Sequence, residues 1–180
     1  MARGVKLTAL AFHVKALERA LCDFPRFNAS LTSDGKKLVL KGYVHIGIAV
    51  DTEHGLIVLV IWNVDRKGLW KIASEIMDLA ERAQARKIKP EEMGGASMTI
   101  TNLGGIGGTA FTPIVNPPEV AILGLTRIEI TPVWDGLAFQ PVPMVPMDLS
   151  YDHRVINGAE AARFVSYQAA LIAGPHSLLI

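Results

Sequence analysis

The chain has 180 residues, half of them apolar, with 18 basic and 17 acidic side chains and one cysteine. This length suits one domain with a sizeable core, and neither the balanced charge nor any apolar run favours nucleic acid, anionic lipid or a bilayer span as a partner. The lone Cys22 excludes an intrachain disulfide, and without a secretion signal at the N-terminus we expect a cytoplasmic protein.

Three stretches have the apolar periodicity of helices, and shorter ones are rich in β-branched residues. Helices are predicted over residues 8–22, where Pro25 ends the helix, over 68–87 and over 159–173. Strands are predicted at 38–43, 46–50, 56–61, 97–101, 120–125, 127–131 and 146–151. This mixture predicts an α/β fold in which one sheet is backed by helices.

A polar segment joins the last predicted strand to the last helix. Asn157 fits the N-cap of that helix, and Glu160, three residues on, fits the returning half of a capping box. His153 is therefore predicted on a short connection, where an imidazole can face a cleft without being packed away. Because an isolated histidine is more often structural than catalytic, position alone does not assign it a role.

A glycine-rich segment after the strand 97–101 imitates the dinucleotide fingerprint G-x-G-x-x-A at 105–110. That fingerprint needs a helix directly after the glycines, and prolines 113, 117 and 118 prevent one. The chain has no G-x-S-x-G elbow, and its five histidines lack metal-ligand spacing. Nucleotide, hydrolase and zinc sites are disfavoured, which leaves a single imidazole with hydroxyls elsewhere.

Four blocks of sequence resemble the dihydrolipoamide acyltransferases, the core components of 2-oxo acid dehydrogenase complexes. They are FPRFNAS from residue 24, HIGIAVD from 45, the glycine block from 98 to 124, and LSYDHRVINGAEAARF from 149. The blocks occur in family order and cover nearly the whole chain. The family's pattern His-x-x-x-Asp-Gly is shared with chloramphenicol acetyltransferase. The resemblance implies a chloramphenicol-acetyltransferase-like α/β sandwich that forms trimers.

The resemblance also implies transfer of an acyl group between dihydrolipoamide and coenzyme A, which are substrates rather than covalently bound cofactors. A thiolate is the nucleophile, and an imidazole of ordinary pKa ~6.5 can take the proton of a thiol near ~8.5. The resemblance makes His153 the expected base and Thr101 the expected donor to the oxyanion, across a subunit interface. The glycine block resembles the pyruvate branch, so acetyl is the expected acyl group.

The rest of the histidine segment carries over with one departure. Asn157 stands where the family usually has Asp, so its expected role is hydrogen bonding and helix capping rather than charge stabilisation. Asp152, Arg154 and Gly158 are expected to organise the loop.

Residues 1–180 are expected to form one truncated catalytic domain, without lipoyl or subunit-binding domains, because the family's catalytic domain begins several dozen residues earlier. The missing part helps to wall the substrate channel, so the sequence leaves open whether the truncated core is active. The alternative is an engineered or degenerate trimeric scaffold, a cage component that keeps the fold with little or no catalysis.

Two apolar features point to further assembly. Leu59, Trp62, Trp70 and Met77 depart from the family, and either complete the chain's own core or form one patch that binds a second protein subunit. The C-terminal residues Leu178, Leu179 and Ile180 resemble the family's apolar tail, which plugs a pocket on a neighbouring trimer to build cages.

Overall fold

The computed structural model describes residues 4–52 and 55–179. Its α-helices are α1 (Ala9–Asp23), α2 (Leu69–Gln84) and α3 (Gly158–Ala173). Its strands are β1 (Ala29–Leu31), β2 (Leu38–Leu40), β3 (Ile46–Thr52), β4 (Gly55–Ile61), β5 (Met98–Asn102), β6 (Ala121–Leu125), β7 (Glu129–Trp134), β8 (Phe139–Met144) and β9 (Met147–Tyr151). The three predicted helices are confirmed, with ends that shift by at most three residues.

Five strands form the main sheet in the order β4-β3-β5-β6-β9. The three central strands run parallel, and the two edge strands are antiparallel to their neighbours. Two antiparallel ribbons, β1-β2 and β7-β8, lie outside this sheet. The predicted fold class, a mixed sheet backed by helices, is confirmed.

The two faces of the main sheet have opposite chemistry because successive side chains in a strand alternate. On the closed face, large apolar side chains such as Ile48, Ile100 and Leu123 join the helices in one buried cluster. On the open face, the paired residues of the central strands are small or polar, with the exception of Ile122. In register order they are Gly47, Thr99 and Ile122, then Ala49, Thr101 and Gly124, with Ser150 and Asp148 on β9.

The ribbon β7-β8 is the main element that the sequence did not predict. The sequence predicts a strand at 127–131 and none at β8, which contains Pro141 and Pro143. A two-stranded ribbon tolerates prolines, since each strand has a free edge. Every residue of β7 is exposed, as are most of β8. No helix of residues 4–52 or 55–179 combines the length and apolar character that a membrane crossing requires.

Candidate active site

His153 lies on the connection between β9 and α3, as predicted. The amide of Asp152 donates to the Val120 carbonyl (2.8 Å), which extends the sheet pairing up to the start of the loop. The amides of Val155 and Ile156 both donate back to the carbonyl of Asp152, at 2.9 and 3.0 Å. Val155 and Ile156 are buried, whereas His153 is exposed, so the turn points the imidazole outward.

Asp152 and Arg154 flank the histidine and bind each other. The guanidinium Nη2 lies 2.6 Å from Asp152 Oδ2 and Nε lies 2.9 Å from Oδ1, while the Arg154 amide donates to the same Oδ1 at 3.0 Å. The hydrogen bond from the guanidinium holds the pKa of the Asp152 carboxyl below its usual range. The pair closes the loop on both sides of the imidazole.

Asn157 caps α3 in the way that the sequence predicts. Its Oδ1 accepts from the Glu160 amide (2.9 Å), and Glu160 Oε2 accepts from the Asn157 amide (3.3 Å) and from Asn157 Nδ2 (2.9 Å). Gly158 is the first residue of the helix, and a Cβ there would meet Tyr151 Oη at an ordinary 3.7 Å. The capping box therefore fixes the helical end of the histidine loop.

Thr101 occupies the open face near the end of β5. It is 8% exposed and lies between Ala49 of β3 and Gly124 of β6. Gly124 leaves room for the Phe111 ring, because a Cβ at Gly124 would approach that ring to 2.7 Å. The segment after β5 thus folds back over the open face beside the threonine hydroxyl.

The glycines after β5 form a turn and not the start of a helix. The Asn102 side chain accepts from the Gly104 amide at 2.9 Å, and Gly107 and Gly108 have φ values of +128° and +89°. Such backbone is in the region that favours glycine. No α-helix is present between β5 and β6 in the described chain, so a dinucleotide-type helix N-terminus is missing there.

Thr101 and His153 lie at opposite ends of the sheet within one chain. Thr101 is level with Gly124 and Asp148, whereas Tyr151, at the end of β9, is level with Ala121. Three residues of strand span ~10 Å, and two strand spacings add a similar lateral distance. This separation is several times the ~3 Å of a hydrogen bond, so the two groups of one chain do not meet.

A buried polar cluster on the open face was not found from the sequence. Thr99 Oγ1 donates to Glu119 Oε1 at 2.8 Å, and Lys41 Nζ donates to the Ala96 carbonyl at 2.7 Å. Burial raises the pKa of Glu119 and lowers that of Lys41, while the charge of each partly opposes the shift of the other. Glu119 lies within the glycine block just before β6, and nothing in the spacing of that block signals a buried carboxyl.

The predicted patch of four apolar residues is wrong for Leu59. That side chain is fully buried, because β4 turns it toward the helices on the closed face. Trp62 and Trp70 are exposed by 39% and 48%, and Met77 is half-buried. Leu59 therefore completes the core.

The three residues of the C-terminal tail have different environments. Leu178 is buried within its own chain, so it is not free to enter a neighbouring pocket as predicted. Leu179 is 68% exposed, and Ile180 lies outside the described residues. Among residues 4–52 and 55–179, no three His, Cys, Asp or Glu side chains are grouped so as to hold a metal ion.

Sequence comparison places this geometry in a family context. Residues 1–180 match the family described as 2-oxoacid dehydrogenases acyltransferase (catalytic domain). The dihydrolipoyllysine-residue acetyltransferase component of the pyruvate dehydrogenase complex of Pseudomonas aeruginosa is 55% identical over 177 residues, or 98% of this chain and 32% of that protein. The chain spans about a third of the length of the curated relatives that it matches first.

Solved structures show the same relationship. A structure of Azotobacter vinelandii dihydrolipoamide acetyltransferase, which addresses the role of a serine, a histidine and an asparagine in its catalytic mechanism, has a TM-score of 0.96 at 54% identity and covers 99% of this chain and 74% of its own. The cubic core of a pyruvate dehydrogenase multienzyme complex gives the same four values. Chloramphenicol acetyltransferase, 15% identical with a TM-score of 0.57 over 91% of this chain and 77% of its own, shares the fold alone. The predicted architecture is thereby confirmed.

Proposed function

The chain belongs to the 2-oxoacid dehydrogenases acyltransferase (catalytic domain) family, and from this membership we propose that it moves an acetyl group between dihydrolipoamide and coenzyme A. The acetyl specificity is taken from relatives named as acetyltransferase components of pyruvate dehydrogenase complexes. Neither substrate is a resident cofactor in this proposal.

One observation carries the assignment of the catalytic residues. In the Azotobacter enzyme the serine precedes the histidine by 52 residues and the asparagine follows it by four. Thr101 and Asn157 stand at these same distances from His153. An asparagine after the histidine is thus no departure from this relative, and the threonine keeps a hydroxyl where the relative has one.

The proposed reaction uses the imidazole as a base and the hydroxyl as a donor. His153 takes the proton of the incoming thiol as its sulfur attacks the carbonyl carbon of the thioester. The carbonyl oxygen becomes an oxyanion, to which the Thr101 hydroxyl donates. The carbon–sulfur bond of the leaving thiol then breaks, and its sulfur takes the proton back from His153. One such oxyanion donor lowers the activation free energy by ~3–4 kcal/mol.

The site needs two copies of the chain. The separation of Thr101 from His153 within one chain supports a site in which the histidine of one subunit meets the threonine of its neighbour. The exposed ribbon β7-β8 supplies surface for such contact, since Ile130, Trp134 and Phe139 are exposed by 68%, 56% and 68%. Apolar patches of this kind mark protein–protein contacts. We therefore propose a homotrimer as the active unit.

Mixed trimers test both the residues and the shared site. His153→Ala and Thr101→Val are each expected to abolish most formation of free coenzyme A from acetyl-coenzyme A and dihydrolipoamide, which is followed by chromatography because the reaction leaves the total number of thiols unchanged. When the two variants are co-expressed, about a quarter of the sites should regain both groups, because each site draws its histidine and threonine from different subunits. A mixture of the two separately purified variants, checked as stable trimers by native mass spectrometry, is the control.

The outcomes of this experiment distinguish a shared catalytic site, an acyltransferase of another arrangement and a scaffold without catalysis. Restored activity near a quarter of wild type supports the shared site, and no restoration rejects it. If His153→Ala matches wild type, the acyltransferase proposal fails and the scaffold alternative is favoured.

The C-terminal residues support a proposal for a higher assembly of trimers. Leu179 is exposed at the C-terminus, and an apolar pocket of about 270 Å³ lined by Phe12, Ile172 and Pro175 lies nearby. We propose that the tail of one trimer enters this pocket on another, as a cage requires. Leu179→Asp should reduce the particle mass to that of a trimer without changing the activity per chain, and an unchanged mass would reject this contact.

A further inference from the structure

Arg26 lies in a segment to which the sequence assigns no function, the 3-10 turn Pro25–Phe27 that follows α1. Aromatic residues on both sides of Arg26 pack against α3. The Phe27 ring stacks on Phe164 with centroids 4.0 Å apart, and Phe24 meets Phe164 edge-on at 5.6 Å. Phe27 and Phe164 are fully buried. The backbone that carries Arg26 is therefore fixed against the helix that follows the histidine loop.

The Arg26 guanidinium contacts this loop and this helix together. Its Nη2 donates to the carbonyl oxygen of Val155, and its Nη1 lies 3.4 Å from Glu160 Oε1. Val155 is a buried residue, and the hydrogen bond to its carbonyl is part-buried. A hydrogen bond from a charged donor contributes about 1.5–3 kcal/mol. Arg26 thus satisfies the loop backbone while it holds the first turn of α3.

Glu160 passes the contact on to the N-cap. The oxygen of Glu160 that does not face Arg26 accepts both from the Asn157 amide and from its side chain. Contacts therefore run from Arg26 through Glu160 to Asn157, and directly to Val155, so they fix the loop at two points beyond His153. A planar guanidinium can serve two such acceptors at once, whereas an ammonium is a point charge on a flexible stem.

We propose that Arg26 is a positioning residue, which orients the His153 imidazole by holding residues 155–160 and does not itself touch substrate. Its catalytic consequence rests on the proposed function. Misplacing a catalytic group by ~1 Å lowers a rate on the order of 10²-fold, so loss of this clamp should reduce the chemical step more than substrate binding.

Kinetics of three variants test the proposal. Arg26→Gln should lower kcat by roughly 10- to 100-fold while the KM for acetyl-coenzyme A stays within about twofold. Arg26→Lys should lie between Gln and wild type, because one contact at a time remains. The matched control Arg163→Gln removes an exposed arginine from α3 and should leave both constants unchanged. A rise in KM with kcat unchanged would overturn the proposal.

Chemical rescue separates positioning from a general loss of structure. Guanidinium ion at millimolar concentrations should restore part of the kcat of Arg26→Ala and leave Arg163→Gln unaffected. An ion too dilute to alter folding can replace a missing contact but cannot repair a misfolded chain. Failure of rescue in an Arg26→Ala protein with wild-type thermal stability would count against the clamp.

Amide hydrogen exchange gives a readout that needs no activity. The amides of Val155 and Ile156, which donate to Asp152, should exchange at least tenfold faster in Arg26→Gln than in Arg163→Gln, because local opening becomes easier. Equal exchange rates would overturn the proposal whatever the kinetics show. Faster exchange together with an inactive wild type would support the clamp and reject the proposed function instead.

Discussion

The closed and open faces of the main sheet come from the same five strands but obey different rules. On the closed face, Ile48, Ile100 and Leu123 pack against the helices of the same chain. On the open face, Thr99, Thr101 and Gly124 face the segment that follows β5, with a buried carboxyl among them. The closed face therefore stabilises the fold, whereas the open face carries the polar side chains that the proposed reaction uses.

The largest expected effect lies on the closed face. Leu123→Ala should lower the free energy of unfolding by roughly 2–5 kcal/mol, because it leaves a cavity in a fully buried site. Ser150→Ala, on the open face of the adjacent strand, is the control and should change that energy by less than about 0.5 kcal/mol. Urea unfolding measures both. Similar losses for the two variants would break the distinction between the faces.

Thr101→Val should show the reverse balance of effects. Removing the hydroxyl is expected to lower kcat by about 10²- to 10³-fold, the range seen for one oxyanion donor, while the unfolding energy changes by no more than about 1.5 kcal/mol, the net contribution of one hydrogen bond. Thr101→Ser keeps the hydroxyl and should retain most activity. Steady-state kinetics and urea unfolding on the same preparations decide, and a valine variant with wild-type kcat would remove Thr101 from the mechanism.

The closed face was the more predictable of the two. Apolar periodicity predicted α1, α2, α3 and the strands that face them, since burial imposes that pattern on each element separately. Asn157 and Glu160 signalled their capping box by local spacing alone. The contact between Arg26 and Val155, like that between Thr99 and Glu119, joins residues far apart in the chain, and no local pattern encodes such a pair.

Local sequence patterns did not predict the second strand of the ribbon β7-β8 and did not decide the environment of Leu59. β8 contains two prolines and was not predicted, although prolines lower stability little on a strand with a free edge. Of the two alternatives for Leu59, core residue or part of an exposed patch, the first is confirmed, because the alternation of β4 turns the side chain inward. Departure from a family pattern carries no information on burial, whereas strand alternation does.

A buried imidazole should make the helix layer sensitive to acid. His13 on α1 is 2% exposed, and burial lowers its pKa to about 4. Since the unfolded chain binds this proton near pH 6.5, stability is complete above that pH and falls as the pH drops toward 4. Between pH 7 and pH 5 the loss should be about 2 kcal/mol.

His13→Leu should abolish this part of the pH dependence, because leucine has no proton to bind. Urea unfolding at pH 7 and pH 5 measures the difference for wild type and variant. His153→Ala removes an exposed histidine and should keep the wild-type difference. If the leucine variant loses as much stability at pH 5 as wild type, the acid sensitivity arises elsewhere.

The smallest expected effect lies where the chain leaves the sheet and enters the helix layer. Asn157→Ala removes the acceptor for the Glu160 amide and should lower the unfolding energy by about 1 kcal/mol. Asn157→Ser keeps a capping oxygen but loses the amide that donates to Glu160, so its stability should stay within about 0.5 kcal/mol of wild type. If kcat falls equally in both variants while only alanine is less stable, the side-chain amide acts on the histidine loop independently of capping. If kcat instead follows stability, Asn157 serves the site only by holding the start of α3.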